Sequence, residues 1–325
     1  MCSLAIDFQS KKVLITGGVG FVGSHLTKRL LSLGADVALF VLDEESPIPD
    51  TVSIIYRGNL QDAPDIARAI GRYQPDYIFH LAAQPLVDTA LVNVYDTLDS
   101  NIRGAINLLQ SCVSSAKCLE GIVFVSTDKV YGVFDGTIDE TAPLLGVGNP
   151  YDTSKACADL LAQMYAKVFG LPIVIVRSGN IYGEGDNHWD RLIPGTFKSV
   201  LANKNPVIRS DGTFTRDYIY VEDIVDAYLL LADSLKDKYL MGKAINLGAE
   251  KKTSVIEMVD TILMCTGQLH LKPEILNIAK FEIKHQHLNW EWAKELGWSP
   301  KTSLEDGLKL CLPYYQAMYD KKRKK

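Results

Sequence analysis

The chain has 325 residues, of which 47% are hydrophobic and 22% charged, and its formal net charge is −5 at pH 7. This length allows a large core in two lobes, and the mildly negative charge argues against a nucleic-acid surface as the main function. No apolar stretch reaches membrane-spanning length, the start is too short and acidic for a signal peptide, and the six cysteines lack metal-ligand spacing, so we expect a cytoplasmic protein without a metal site.

A glycine-rich loop follows the first predicted strand. Residues 13–16 form a short apolar run, and a helical pattern through Leu26 and Leu30 follows the loop. In this order, backbone N–H groups and the helix N-terminus receive a pyrophosphate, and a Cβ in the loop would block its approach. The residues that we therefore expect to bind a dinucleotide are Gly17, Gly20, Phe21, Val22 and Gly23.

The second predicted strand, residues 37–42, ends at Asp43. An acidic side chain roughly 20 residues past the glycine loop accepts the ribose hydroxyls of NAD and repels the 2′-phosphate of NADP. Asp43 lies slightly later in the sequence than this spacing. Its presence favours NAD over NADP, unless Asp43 simply begins a loop and has no contact with the cofactor. After a third strand, Asn59 or Asp62 is expected to meet the adenine beside Leu60, unless this segment only caps the next helix.

The next apolar run, residues 76–81, leads into small residues that allow the backbone to lie against a flat cofactor. Gln84 follows and is assigned to the substrate. His80 lies inside the apolar run, so we expect a core histidine rather than a catalyst. Four further residues are assigned to the cofactor site, three at this exit and one at the start of the following helix: Leu81, Ala82, Ala83 and Asn101.

Two polar segments point to chemistry. The first, residues 126–132, follows the apolar run 121–125 and so lies at the carboxyl end of a strand, where doubly wound sheets place ligands. The second, residues 151–155, opens an amphipathic helix in which Tyr151 and Lys155 share a face, because they are four positions apart. Together with the glycine loop, these segments predict a redox active site.

Strands and helices alternate as far as residue 178, which predicts a Rossmann-like, doubly wound parallel α/β sheet. The pattern then becomes irregular and predicts a smaller mixed α/β lobe, over which Trp290, Trp292 and Trp298 are expected to pack as a lid. The expected division is a cofactor-binding domain of residues 1–178 and about 220–250, and a substrate lobe of residues 179–219 and 251–325.

The motifs, in this order, resemble the extended short-chain dehydrogenase/reductases of the nucleotide-sugar epimerase/dehydratase family. The resemblance spans about two thirds of the chain and rests on residues 16–23, 80–84, 126–132, 151–155, 177–183 and 216–223. It implies NAD as cofactor, a nucleotide-diphosphate sugar as substrate in the smaller lobe, and a homodimer formed through a four-helix interface.

The resemblance also implies that Tyr151 takes the proton from a sugar hydroxyl while Thr127 hydrogen-bonds the same oxygen. A free phenol has a pKa near 10, and lowering it to about 7 takes roughly 4 kcal/mol. Lys155, one turn away, and the cationic ring of NAD are together expected to favour the phenolate, and Lys155 is also expected to hold the nicotinamide ribose.

The pair Asp128 and Lys129 bears on which reaction follows. Four-epimerases of this family usually carry small, inert residues there, whereas 4,6-dehydratases carry an acid and a base that eliminate water across C5 and C6. Many have Asp-Glu; the lysine here, together with residues 82–87 and the late Asp43, resembles the CDP-glucose 4,6-dehydratases. The sequence leaves open whether Lys129 removes the C5 proton or stabilises the enolate, and a surface ion pair is the alternative.

For the diphosphate we assign Arg216, because a planar guanidinium suits phosphate oxygens, with Asn180 and Arg191 in support. Arg209 is also assigned to the substrate, although it could be a charge on a strand surface. The sequence thus predicts an NAD-dependent nucleotide-sugar 4,6-dehydratase. A 4-epimerase on the same fold and a non-catalytic protein that binds NAD and sugar nucleotides are the alternatives.

Overall fold

The computed structural model describes residues 7–42, 51–134, 136–279 and 283–323. The strands of these residues are β1 (Lys12–Thr16), β2 (Asp36–Val41), β3 (Ile54–Arg57), β4 (Tyr77–His80), β5 (Gly121–Val125), β6 (Ile173–Ser178), β7 (Asn180–Tyr182), β8 (Val207–Ile208), β9 (Thr215–Arg216), β10 (Tyr218–Tyr220), β11 (Ala244–Leu247), β12 (Thr253–Ser254) and β13 (Glu274–Ile275).

The α-helices in the described ranges are α1 (Phe21–Ser32), α2 (Ala63–Tyr73), α3 (Val87–Val92), α4 (Val94–Leu98), α5 (Gly104–Ser115), α6 (Pro150–Phe169), α7 (Leu192–Leu201), α8 (Val221–Ser234), α9 (Val255–Cys265), α10 (Glu291–Glu295) and α11 (Leu304–Arg323). A π-helical turn, Asp99–Arg103, joins α4 to α5. Within the part of the chain that is described, none of these helices has the length and apolar character needed to cross a bilayer.

Seven parallel strands form the central sheet in the order β3-β2-β1-β4-β5-β6-β11. The direction of winding reverses between β1 and β4, which is the point where doubly wound sheets bind ligands at the carboxyl ends of their strands. The predicted Rossmann-like parallel sheet is confirmed.

Helices cover both faces of this sheet. Side chains of a strand alternate between its faces, so Val13 and Ile15 pack with α1 and α8, whereas Leu14 packs with α2, α5 and α6. Both faces are buried, which explains why the strands are continuous apolar runs. The loops that leave the carboxyl ends of these strands are therefore held on a rigid base.

The smaller lobe has a separate apolar core. It contains three two-stranded sheets, β7 with β10, β9 with β12, and β8 with β13. Helices α7, α9 and α11 pack around Phe197, Met258 and Tyr315. Helix α9 begins with a capping box in which Ser254 and Glu257 satisfy each other's backbone N–H groups. The predicted mixed α/β lobe is thus present, and the residue boundaries of the two lobes remain a prediction.

The tryptophans near the C-terminus pack differently from our expectation. Trp298 is buried and donates through Nε1 to the Asp223 carbonyl at 2.8 Å. Trp290 lies edge-on against Trp298, with ring centroids 5.7 Å apart, and Trp292 packs on the same apolar cluster. That cluster is the α1 and α8 face of the large sheet. The indoles therefore close the Rossmann core, and the predicted lid over the smaller lobe is wrong.

Candidate active site

The loop between β1 and α1 needs glycine at two positions because other backbone atoms approach closely. Gly17 has a φ of +75°, and a Cβ there would lie 2.8 Å from the Ala82 nitrogen. A Cβ on Gly23 would lie 2.1 Å from the Gly17 carbonyl oxygen. The loop is thus folded tightly against the residues that follow β4, and the start of α1 is fixed beside the sheet.

The N-terminus of α1 offers free donors. Gly20 occupies the cap position without a side-chain cap, and Ser24 N makes the bond back to the Gly20 carbonyl at 2.8 Å. The N–H groups of Phe21, Val22 and Gly23 therefore have no acceptor within the helix. The first turn contains no acidic residue, so its positive end is available to an anion. These features fit the pyrophosphate of a dinucleotide such as NAD.

The predicted adenine side of the site is described in part. Asp43 lies outside the described residues. Asn59 forms a local turn, since its Oδ1 accepts from Gln61 N at 3.0 Å while its own N–H donates to Asp65 Oδ2 at 3.0 Å. The Leu60 carbonyl accepts from Asn107 Nδ2 at 2.8 Å. The segment after β3 is thus held against α5 at the carboxyl edge of the sheet.

The exit of β4 is fixed to β1 through Thr16. Leu81 N donates to the Thr16 carbonyl at 3.1 Å, and Ala82 N lies 3.3 Å from Thr16 Oγ1. His80 is buried, and its Nδ1 lies 2.8 Å from Thr16 Oγ1. Burial, assisted by the charge of Lys155, lowers the pKa of His80 to about 3. His80 is therefore a neutral core histidine, in agreement with the sequence interpretation.

Gln84 and Asn101 are occupied by contacts within the protein. Asn101 Oδ1 accepts from Gln84 N at 2.8 Å, while its Nδ2 donates to the Gln84 carbonyl at 3.1 Å and to Ser154 Oγ at 2.8 Å. The Gln84 amide bonds both the N–H and the carbonyl of Leu86, and Thr97 Oγ1 as well. Through these contacts the two residues join the β4 exit to α6. The assignments of Gln84 to the substrate and of Asn101 to the cofactor remain predictions.

Helix α6 carries Tyr151 and Lys155. Asn149 caps it by accepting from Asp152 N at 3.0 Å, and Pro150 occupies the first turn, where the missing N–H has no cost. Lys155 Nζ donates to the Val125 carbonyl at 2.6 Å. Burial lowers the pKa of Lys155 to about 8, against the opposing charge of a carboxylate one turn further along the helix.

Burial sets the electrostatics of Tyr151 in the protein alone. Burial raises the pKa of Tyr151 to about 12, while a hydrogen bond with Thr127 and the charge of Arg191 act in the opposite direction. Lys155 and the cationic ring of bound NAD together were expected to bring this pKa to about 7, and this stays a prediction for the complex with NAD. In the protein alone the Lys155 ammonium is directed to the backbone at the end of β5, and Thr127 is the first of the groups that favour the phenolate.

Thr127 and Asp128 lie at the end of β5. Thr127 caps a short 3₁₀ turn, Asp128–Tyr131, and its Oγ1 donates to Asp128 Oδ1 at 3.1 Å. Asp128 is only 1% exposed, and within the described residues its Oδ2 has no hydrogen-bond partner. Burial raises the pKa of Asp128, opposed by the charges of Lys129 and Arg216. Asp128 is thus suited to hold a proton, and a surface ion pair is excluded.

Two buried polar residues beside this turn were missed by sequence reasoning. Asp152 is 1% exposed, and burial, assisted by the charge of Asp128, raises its pKa to about 6 against the charges of Lys129 and Arg216 and a hydrogen bond with Asn149. Gln286 Nε2 donates to the Asp128 carbonyl at 3.1 Å. Asp152 lies inside the 151–155 motif, and its place on the buried side of α6 could have been read from the helical period. Gln286 lies in an irregular segment that gave no signal.

Helix α6 is anchored by a second buried group that the sequence did not reveal. Arg177 on β6 donates through Nε and Nη2 to the two carboxylate oxygens of Asp159, at 2.9 and 2.8 Å. Ser126 Oγ also donates to Asp159 at 2.7 Å, and Arg177 Nη1 donates to the Tyr131 hydroxyl at 2.9 Å. The end of β5, the 3₁₀ turn and the catalytic face of α6 are therefore tied to one another.

The structure places the predicted arginines differently. Arg216 is buried and donates to the carbonyls of Thr215 at 2.8 Å, Lys284 at 3.0 Å and Ile283. The charge of Arg216 opposes the rise in the pKa of Asp128, so Arg216 belongs to the site. Arg191 precedes α7, and its Nη1 lies 3.3 Å from Asp186 Oδ2. The charge of Arg191 opposes the rise in the pKa of Tyr151.

The other two predicted substrate residues lie on β7 and beside β8. Asn180 is partly exposed at the start of β7, and its N–H donates to the Asp217 carbonyl at 2.8 Å. Arg209 forms an exposed ion pair with Asp88 at 3.0 Å, which supports the reading of a surface charge.

A cleft of about 550 Å³ opens beside the 3₁₀ turn. This volume is in the range of small-molecule sites. Gln286 links the cleft to Asp128, and Lys284 links it to Arg216. The residues that line it are Val133, Phe134, Gly136, Thr215, Lys252, Lys284, His285, Gln286 and His287.

Comparison with known proteins places the chain in a sequence family. The model of the NAD dependent epimerase/dehydratase family matches residues 13–248. A trifunctional UDP-glucose 4,6-dehydratase/UDP-4-keto-6-deoxy-D-glucose 3,5-epimerase/UDP-4-keto-L-rhamnose-reductase of Arabidopsis thaliana is 28% identical over 326 residues, which are 95% of this chain and 47% of the plant protein. The chain thus spans about half the length of the first curated relatives that it matches.

Two solved structures illustrate the range of reactions among similar proteins. The UDP-glucose 4-epimerase of Thermotoga maritima has a TM-score of 0.86 at 27% identity, covering 94% of this chain and 99% of that chain. The dTDP-glucose 4,6-dehydratase of Streptomyces venezuelae, solved with NAD, has a TM-score of 0.84 at 27% identity, covering 94% of this chain and 97% of that chain. The overall likeness therefore does not separate epimerase from dehydratase.

Proposed function

The chain belongs to the NAD-dependent epimerase/dehydratase family, and from this membership we propose that it is a nucleotide-sugar 4,6-dehydratase. Family membership agrees with the predicted NAD cofactor. The proposed reaction converts an NDP-hexose such as CDP-glucose into its 4-keto-6-deoxy product and water. The observation that carries the proposal is the buried Asp128, with its unpartnered Oδ2, beside Lys129 and next to Thr127 and Tyr151.

The first step is oxidation at C4. Bound at the glycine loop, NAD would supply the redox chemistry, taking a hydride from C4 and later returning it to C6. Tyr151 takes the proton of the C4 hydroxyl. The hydrogen bond from Thr127 and the charge of Arg191 both favour the deprotonated form of Tyr151 against the effect of burial.

The second step is elimination across C5 and C6. A ketone at C4 makes the C5 proton acidic, and Lys129 either removes it or stabilises the enolate. Asp128 gives its proton to the departing C6 hydroxyl, which leaves as water. Burial raises the pKa of Asp128, which favours the protonated form that a general acid requires. Arg216, Arg191 and Asn180 are proposed to hold the diphosphate.

The test is mass spectrometry of NDP-hexoses incubated with the protein and NAD in heavy water. A panel with cytidine, thymidine, uridine and guanosine as nucleoside, each carrying glucose, covers the candidates. Loss of one water with deuterium gained at C5 is the expected result and identifies the nucleotide. An unchanged mass with an inverted C4 centre would contradict the proposal and support a 4-epimerase, the second candidate, since a UDP-glucose 4-epimerase is among the similar structures.

We also propose a homodimer that forms through α5 and α6 of each subunit. Apolar side chains on both helices are exposed to solvent, with Leu160 and Met164 on α6 and Ile106 and Val113 on α5. Two helices from each of two copies would form a four-helix interface and bury this surface.

A further inference from the structure

Asp152 is a buried carboxyl group that the steps above do not use. It lies in the first turn of α6, where an acidic side chain ordinarily reaches solvent or the free N–H groups of the cap. Here the side chain is directed into the protein and is 1% exposed. Among the described residues, its Oδ1 has no hydrogen-bond partner. A buried, unpartnered carboxylate oxygen is costly, and such groups are found where a ligand or another protonation state satisfies them.

Four charged or titratable groups face this carboxyl group. Lys129 and Asp128 belong to the turn after β5, Arg216 lies on β9, and Tyr151 precedes Asp152 on α6. The Arg216 guanidinium is held by three backbone carbonyls and is therefore fixed. For the Lys129 ammonium, neither an ion pair nor a hydrogen bond is found within the described ranges. Lys129 is consequently the cation that can move to Asp152.

The two carboxyl groups cannot serve the same purpose. Asp128 must carry a proton to act as the acid toward the C6 hydroxyl, and in that state it does not neutralise an ammonium. Asp128 and Asp152 also disfavour each other's ionisation. With the proton on Asp128, Asp152 is the carboxylate left to receive the ammonium that forms when Lys129 takes up the C5 proton.

We propose that Asp152 is a positioning residue for the elimination step, in which its Oδ1 receives the Lys129 ammonium. The proposal rests on the proposed dehydratase function and assigns proton removal to Lys129. The neutral Lys129 amine takes the C5 proton: the C5–H bond breaks, its electron pair enters the C4–C5 enolate, and the proton forms a new N–H bond, giving the ammonium that Asp152 Oδ1 receives. The C6–O bond breaks as Asp128 delivers its proton to the hydroxyl. The Lys129 proton returns to C5 after hydride reaches C6.

The first test separates the two steps in the variant D152N, which removes the charge and keeps the shape. In a single turnover in heavy water, the absorbance of the reduced cofactor measures the rate of C4 oxidation. The loss of water and the gain of deuterium at C5 measure the rate of elimination. We expect elimination to slow about tenfold or more while oxidation stays within about threefold. The control is T153A, which removes another polar side chain from the same helical turn and should leave both rates unchanged.

The pH profile provides a readout that a structural role would not move. Elimination by the wild-type protein should fall as the pH drops through about 6, where Asp152 takes up a proton. D152N should lack this acidic limb, and D152E should restore part of it. An identical acidic limb in D152N, or equal slowing of oxidation and elimination, would overturn the role of Asp152.

A second measurement needs no turnover. Lys129 is labelled with acetic anhydride at neutral pH, and the modified peptide is quantified by mass spectrometry. Without the Asp152 carboxylate, the protonated form of Lys129 loses its acceptor, so D152N should be labelled several-fold faster than T153A. Equal labelling would refute the proposal. A wild-type protein that dehydrates no member of the panel but shows the labelling difference would overturn the proposed function and leave the contact intact.

Discussion

At the scale of single residues, Lys129 distinguishes the two candidate reactions. Replacing Lys129 with Met should slow water loss by about 10² to 10⁴-fold, because elimination loses its base or its enolate partner. C4 oxidation should remain measurable, since Tyr151 and Thr127 are unchanged. Single-turnover assays of cofactor reduction and water loss check both statements.

Two further variants serve as controls for this prediction. Lys251→Met alters a lysine that forms an exposed ion pair with Glu257, and it should behave as wild type. Tyr151→Phe should suppress oxidation and elimination together, because the ketone at C4 no longer forms. Unchanged water loss in the Lys129 variant would reject the role assigned to this residue.

Asp152 should lower the stability of the folded protein at neutral pH. Burial raises its pKa from 3.8 to about 6, so the folded state binds a proton more tightly than the unfolded state. The ionised carboxylate therefore destabilises the fold above about pH 6, and this effect disappears as the pH falls toward 3.8. D152N should raise the free energy of unfolding near pH 7.5 by at most about 3 kcal/mol.

Denaturant unfolding of D152N and wild type near pH 7.5 and near pH 4.5 measures this effect. The advantage of the variant should shrink at the lower pH. A variant that is less stable than wild type at both values would show that the carboxylate makes a stabilising contact.

The candidate site was predictable where spacing alone determines proximity. Tyr151 and Lys155 are four apart on one helix, and Thr127 and Asp128 end a buried strand, so local rules placed them together. Gln286 contacts Asp128 although the two residues are more than 150 positions apart in the sequence, and no periodic pattern predicts such a contact. The effect of burial on the pKa of Tyr151 could not be read from the sequence, because it depends on how the whole chain packs around the phenol.

At the scale of elements, α6 depends on its buried ion pair with β6. Replacing Asp159 with Asn leaves the Arg177 guanidinium buried without a carboxylate, and we expect the free energy of unfolding to fall by about 3 to 5 kcal/mol. The same change removes the charge that raises the pKa of Lys155, so this pKa should fall below its present value. Denaturant unfolding and a pH titration of Lys155 measure the two effects.

An exposed ion pair supplies the matched control. Arg68 and Asp65 lie on the surface of α2 at 2.6 Å, and Arg68→Met should change stability by less than about 1 kcal/mol. A similar loss in both variants would mean that the Asp159 pair contributes no more than a surface contact.

The secondary structure was predicted well where a strand is apolar on both faces. Strands β1 and β5 lie within a residue or two of their expected bounds, because continuous apolar runs between loops leave little choice. Helix α7 lies in the stretch where the sequence pattern is irregular, because its first turn contains Pro194 and Gly195, which obscure the helical pattern. The tryptophans were misplaced because composition does not reveal which of two cores a side chain enters.

At the scale of the whole molecule, the proposed dimer is testable by sedimentation. Leu160→Glu places a charge in the centre of the proposed interface and should convert a dimer into a monomer without unfolding it, because Leu160 is exposed within the subunit. Leu269→Glu, an exposed leucine of the smaller lobe, should leave the dimer intact. A monomeric wild-type protein would refute the interface.

The order of strands in the large sheet has a consequence for synthesis on the ribosome. Strand β6 pairs with β5 on one side and with β11 on the other, and β11 is made only after the whole stretch 179–243. During that interval β6 is an open, apolar edge on the nascent chain, the kind of edge that recruits other strands. Cells that produce this protein rapidly should therefore depend on a chaperone that shields the growing chain until β11 has emerged.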